Sequence, residues 1–199
     1  MKTMNEKNRE IINLLKYTNK IHLQKEGVSQ EFLNSLTRCF PNKIVHNFQG
    51  VFNLTQAEKR ICTLKKEEEF CCIINLCTDE DVERGQVGHF VSIIKRKNGA
   101  LMYLDPFGLP AIHKGAKTFM RAISKNKFIL YNKKCVQSMT SSFCGLYALL
   151  FLLKMAGQKK EEEEKYAWEK KNIFFNENDM DGKNDERCLK YINHIVKNM

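Results

Sequence analysis

The sequence predicts an α+β fold in which a central mixed β-sheet packs on one buried helix, and three stretches carry that prediction. The first is 144–156, apolar on nearly every face, as a helix enclosed by protein must be. The second is a pair of β-type segments, Val87 to Arg96 and Ala100 to Asp105, joined by Lys97-Asn98-Gly99; Asn-Gly between apolar alternations is a strong hairpin signal. The third is 70–77 (FCCIINLC), a continuous apolar run of strand length.

The remaining elements follow in chain order. Residues 5–16 set Ile11, Ile12, Leu14 and Leu15 among charges and read as a helix; 29–39, with Ser29 as N-cap, reads as a second with Phe32, Leu33 and Leu36 on its apolar face. Both are expected at the surface. Residues 42–78 mix strand and helix fragments and end in the 70–77 strand. After the hairpin come a helix at 113–124, a strand at 127–132, a polar loop beginning at Gln137, and the buried helix. Lys159 to Lys171 alternates Lys and Glu as a solvated helix does, and 184–197 is amphipathic. No internal repeat or inter-domain linker interrupts the 199 residues, a length that suits one domain.

Composition narrows the setting. The chain is 43% hydrophobic and 28% charged, the balance of a globular protein, and its longest apolar run, Gly145 to Leu153, is far short of the roughly 20 residues of a membrane span. The charged N-terminus lacks the apolar core of a secretory signal, so the eight cysteines are expected as thiols in a reducing compartment. Cys71, Cys72 and Cys77 cluster without a CxxC pair or a nearby histidine, which favours core thiols over a metal site. The net charge of +10 is uneven: between Pro106 and Lys160 there is no Asp or Glu but ten Lys or Arg. On a helix at 113–124, Lys114, Lys117 and Arg121 form one basic face continued by Lys125, with Phe119, Met120 and Ile123 inward. Such a field suits DNA or another polyanion, and equally a solubilising face.

A nucleophilic cysteine needs a stabilised thiolate, a base within reach and donors for the oxyanion. Cys144 stands where the polar loop enters the buried helix, so the positive end of the helix dipole favours a thiolate there. Gly145 removes a side chain that would obstruct a peptide approaching the backbone. Taken alone, Cys144-Gly145 reads as an ordinary loop-to-helix junction rather than a nucleophile, His89 as a structural strand residue and Asp105 as a turn former. The hairpin changes this. If Gly99 takes the left-handed bulge position of a three-residue turn, Arg96 faces Ala100, Val91 faces Asp105, and His89 lies diagonally across from Asp105 on the same face. A two-residue turn would put the two on opposite faces. Gln137 has the side-chain amide an oxyanion hole needs, with the Cys144 N–H as its partner.

These residues carry a family resemblance. Gly88-His89-Phe90, then Tyr103-Leu104-Asp105-Pro106-Phe107-Gly108, Gln137-Ser138 and Ser142-Phe143-Cys144-Gly145-Leu146-Tyr147 resemble, in order and spacing, the His, Glu/Asp-Pro-Phe-Gly, Gln-Ser and Cys-Gly-Leu blocks of the adenovirus protease. Phe90 stands where that family commonly has Trp. Asn184 to Ile192 resembles a C-terminal helix of the enzyme, so the likeness spans about 85–195 and leaves the first 80 residues unrecognised. SUMO-deconjugating proteases share the fold and the His, Asp, Gln, Cys order. The resemblance implies a monomeric cysteine endopeptidase with His89, Asp105, Cys144 and Gln137 as catalytic residues and no cofactor required for chemistry. It implies cleavage of viral structural precursors near small residues such as Gly-Gly, stimulation by DNA and a viral peptide, and a place in the virion or in the cytoplasm or nucleus of an infected cell. The Lys-, Asn- and Ile-rich composition suits an AT-rich viral genome, such as that of a virophage. The rival readings are an isopeptidase for ubiquitin-like tags and a non-enzymatic basic protein that binds DNA or capsid.

Overall fold

The sheet is built outward from the hairpin, the one strand pairing that the sequence predicts. The structure, a computed structural model, describes Asn13, Lys16 and residues 27–39, 47–67, 69–86, 88–124, 129–156 and 183–197. Strands β3 (Phe90–Lys95) and β4 (Leu101–Leu104) pair antiparallel from Lys95↔Leu101 to Ser92↔Leu104. The connecting turn has the bulged form: Gly99 adopts φ 83°, its N–H donates to Arg96 O at 2.8 Å, and Arg96 N–H donates to Ala100 O at 2.9 Å. A side chain at Gly99 would strain that left-handed backbone. Strand β2 (Phe70–Asn75) lies antiparallel on the far side of β3, while β1 (Phe48–Asn53) and β5 (Ile129–Tyr131) pair parallel with β2 and β4 as the two edges. The order is β1-β2-β3-β4-β5, a mixed sheet in a single α+β domain.

The helices divide between the two faces of this sheet. Helix α1 (Gln30–Cys39) begins at Ser29, whose Oγ accepts from Phe32 N–H at 3.1 Å as an N-cap, and it turns Leu33 and Leu36 fully inward. It packs with the long helix α6 (Cys144–Ala156) and with α7 (Lys183–Lys197) on the face bearing Cys71, Ile73, Phe90, Ile94, Met102 and Leu104. Every described side chain of α6 from Cys144 to Leu153 is buried. Each such Leu or Phe contributes about 1.5–3 kcal/mol by leaving water, so α6 is the anchor of this layer. Ser92 Oγ on β3 donates to Ala148 O at 2.6 Å and fixes α6 against the sheet.

The opposite face is also covered, by α2 (Leu54–Lys59), α3 (Ile61–Lys66) and α5 (Lys114–Ile123), which close over Phe70, Cys72, Ile74, Val91, Ile93, Leu101 and Tyr103. A short helix α4 (Asp79–Glu83), capped by Thr78, follows β2. The sequence predicts one helix against the sheet; burial on both faces is the reason β2 and β3 read as continuous apolar runs rather than alternations. Lys95, at the end of β3, is 2% exposed and donates its Nζ to the carbonyls of Lys65 at 3.1 Å and Glu67 at 2.6 Å, satisfying the end of α3.

Other expectations resolve as follows. The 113–124, 127–132 and 184–197 predictions correspond to α5, β5 and α7, whereas the helix at 159–171 and most of that at 5–16 lie outside the described residues. Cys71, Cys72, Cys77 and Cys188 are buried free thiols, and Cys62 is exposed. Among the described residues no helix is long and apolar enough to cross a membrane, and no cluster of His, Cys, Asp or Glu is arranged to hold a metal.

Candidate active site

The bulged register brings His89, just before β3, and Asp105, just after β4, to one end of the sheet on the same side. His89 Nε2 lies 2.9 Å from Asp105 Oδ1, and Cys144 stands near enough to the imidazole to favour its charged form. With Nε2 taken, Nδ1 is the ring nitrogen left for another partner. Phe107 stacks on the imidazole at 4.9 Å between centroids and 20° between planes, holding the ring against rotation. Phe90 instead turns into the α6 core and is 4% exposed.

Asp105 is held more firmly than a turn residue requires. Its Oδ1 accepts from Phe107 N–H at 2.7 Å, and its backbone is clamped by buried Asn132, which accepts from Asp105 N–H at 2.7 Å and donates Nδ2 to Asp105 O at 2.6 Å. Sequence reading missed Asn132, because its partner lies across the β4–β5 pairing and no local pattern announces it. The Asp105–Gly108 turn closes through Gly108 N–H to Asp105 O at 2.8 Å, and Gly108 has φ +69°. A Cβ there would meet Lys134 C at 2.6 Å, so this glycine lets the chain at 134–137 run against the turn.

That approach delivers Gln137. Val136 N–H and Gln137 N–H both donate to Pro106 O, at 2.9 and 3.2 Å, and the Gln137 amide, 2% exposed, donates Nε2 to Ser141 O at 2.8 Å. Its Oε1 is buried with no hydrogen-bond partner among the described residues. Gln137 thus sits on the Asp105–Pro106 turn and on the loop that leads to Cys144, the first residue of α6, which is 8% exposed.

Electrostatics single out the histidine. Burial disfavours the imidazolium, but the hydrogen bond that it donates to Asp105 and the influence of Cys144 and of the Asp105 charge outweigh it and raise the His89 pKa from 6.5 to about 9. Burial pushes the Cys71 thiol up to about 12 and those of Cys72 and Cys188 well above their ordinary value.

Two glycines fill roles other than access to a ligand. At Gly145 a Cβ would come within 2.3 Å of Val28 Cγ2, 2.7 Å of Leu33 Cδ1 and 3.3 Å of Phe90 Cδ2. This corrects the expectation that Gly145 clears a path for a peptide: it faces inward, letting α1 and β3 close on the start of α6. At Gly88 a Cβ would overlap Asn75 Oδ1, so the residue before His89 must be bare for β2 to pass. Lys114, Lys117 and Arg121 are exposed on one side of α5 while Phe119, Met120 and Ile123 are buried on the other; Lys125 lies outside the described residues.

No protein-family model matches the sequence, and no curated protein matches it significantly. Among solved structures the fold is similar to AvrA (delL154, with IP6 and CoA) at 13% identity and a TM-score of 0.45, over 73% of this chain and 58% of that one. It is also similar to the C-terminal Ulp1 protease domain in complex with Smt3, the yeast ortholog of SUMO, at 13% identity and a TM-score of 0.48, over 98% of this chain and 96% of that one. Likeness at this level assigns neither a family nor a function.

Proposed function

We propose that the chain is a cysteine endopeptidase with Cys144 as nucleophile, His89 as general base and acid, Asp105 as the group that orients His89, and Gln137 with the Cys144 N–H as oxyanion donors. The observation that carries this reading is the position of His89: one ring nitrogen on a buried carboxylate, and the ring near a cysteine at the head of a buried helix. An imidazolium favours the anionic form of the thiol it faces. Cys144 Sγ attacks the scissile carbonyl carbon, forming a C–S bond while the oxyanion gathers N–H donors. His89 gives its proton to the amine as the C–N bond breaks. Water then surrenders a proton to His89, attacks the thioester and releases the carboxylate, returning the thiol.

The natural substrates in this reading are viral structural precursors cut near small residues, on the strength of the sequence resemblance. The same chemistry serves a ubiquitin-like isopeptidase, and the substrate decides between them. The test incubates wild type and Cys144→Ala with the structural precursors encoded beside the gene and with a ubiquitin-like protein carrying a C-terminal coumarin amide. Precursor cleavage by wild type alone is the expected result. Turnover of the coumarin conjugate alone would move the protein to the isopeptidase class, and no difference between wild type and Cys144→Ala would end the enzyme reading.

The exposed row of Lys114, Lys117 and Arg121 supports a polyanion partner, DNA first. Each duplex phosphate contacted contributes a log–log salt slope of about −0.9 with little sequence preference. Fluorescence anisotropy at several salt concentrations should show the slope shrink in the Lys114→Glu, Lys117→Glu, Arg121→Glu variant; an unchanged slope removes this face from the interface.

A further inference from the structure

We infer that Asp185, at the start of α7, is a positioning residue for both oxyanion donors and acts on them through Ser141. The inference rests on the peptidase reading for its catalytic consequence, but the contacts that carry it are independent of that reading.

The loop from Val136 to Phe143 is held from outside by α7. Asn184, fully buried, donates Nδ2 to Val136 O at 2.9 Å. Asp185 Oδ1 accepts from Ser141 Oγ at 2.9 Å and from Tyr147 Oη, one turn into α6, at 2.7 Å. One carboxylate oxygen therefore ties the loop to the helix it leads into.

Ser141 is the point at which the two donors meet. Its carbonyl accepts the Gln137 amide at 2.8 Å, and its hydroxyl, while donating to Asp185, accepts from Phe143 N–H at 3.2 Å. The first contact sets the direction of the Gln137 amide; the second sets the Ser142–Phe143 peptide plane, one plane before the peptide that carries the Cys144 N–H, the other donor. A hydroxyl has one proton. With that proton committed to Asp185, the Ser141 oxygen has its lone pairs free for Phe143 N–H. Without the carboxylate the hydroxyl turns, and both donors lose their shared reference. Oxyanion donors are effective only within a few tenths of an ångström of their target, so such slack falls on kcat and leaves ground-state binding unchanged.

The test uses the full chain and a fluorogenic peptide amide cleaved by wild type and not by Cys144→Ala. Asp185→Ala should lower kcat about 10-fold or more with KM within about 2-fold, whereas Asp185→Asn, which keeps the accepting oxygen, should stay within about 3-fold of wild type. In a Gln137→Ala background, Asp185→Ala should have a smaller effect, since one of the two donors it aims is gone. Hydrogen exchange at Phe143 N–H should speed up in Asp185→Ala, while the rate of Cys144 alkylation stays at the wild-type value. That last readout separates misplaced donors from a generally loosened site. An unchanged Phe143 exchange rate overturns the clamp, even in an active peptidase. Full additivity with Gln137→Ala, or an alkylation rate that falls in step with kcat, overturns the positioning role. If wild type and Cys144→Ala are equally inactive, the peptidase reading falls, and faster exchange still upholds the clamp.

Discussion

Cys144 and the sheet thiols Cys71 and Cys72 are alike in burial and opposite in surroundings. Cys71 and Cys72 sit at adjacent positions of β2, one against each helical layer, among apolar side chains that push their thiols up. Cys144 is 8% exposed, yet its partner is an imidazole whose far nitrogen rests on a carboxylate. In the proposed peptidase, chemistry follows from the groups near the sulfur rather than from how much water reaches it.

The largest expected effect comes from removing what distinguishes the two environments. His89→Ala should abolish turnover, by about 10⁴-fold or more in kcat, and Asp105→Asn should leave weak activity, because an amide still occupies the orienting position. Steady-state kinetics gives the ranking, and full activity in Asp105→Asn would return Asp105 to a turn residue. The same pair sets a pH dependence. The folded pKa of His89 is raised from 6.5 to about 9, so the stabilisation from its contacts with Asp105 and Cys144 is fully present below about 6.5 and is lost as pH rises through about 9. Thermal melts should show the deficit of Asp105→Asn relative to wild type narrowing between pH 6 and pH 10; a constant deficit contradicts it.

Gln137→Ala should lower kcat by about 10²–10³ with little change in KM, the usual loss for one oxyanion donor. A change confined to KM would make Gln137 a substrate-binding residue. The thiols themselves supply a sharper contrast: iodoacetamide should label Cys144 about 10-fold faster than Cys71, Cys72 or Cys188 at neutral pH, and only Cys144 should slow in His89→Ala. Exposed Cys62 serves as the internal reference, and equal slowing of both would point to a global change.

The smallest effect tests the packing around the nucleophile. Gly145→Ala adds one methyl group where Val28 and Leu33 already crowd, which should destabilise the fold by about 1–3 kcal/mol, read by chemical denaturation. If stability holds and KM rises instead, the bare position serves the substrate after all.

What was legible in the sequence was local. The Lys97-Asn98-Gly99 hairpin was legible, with two registers open; the bulged one, with Gly99 at positive φ, is the one formed, and it puts His89 beside Asp105 because the count of residues in the turn fixes the facing side. The all-apolar run from Cys144 and the Ser29 cap were likewise carried by neighbouring residues, because periodicity and capping act within one or two turns. Tertiary structure alone decided the rest. Asn132 meets Asp105 across 27 residues, Asp185 meets Ser141 across 44, and α1, from the unrecognised part of the chain, closes on Gly145. Such contacts have no period and no turn chemistry to announce them. They exist because two elements, each already formed, are brought together by burying a shared apolar face, and only then do an asparagine, an aspartate and a bare glycine acquire a neighbour to hold.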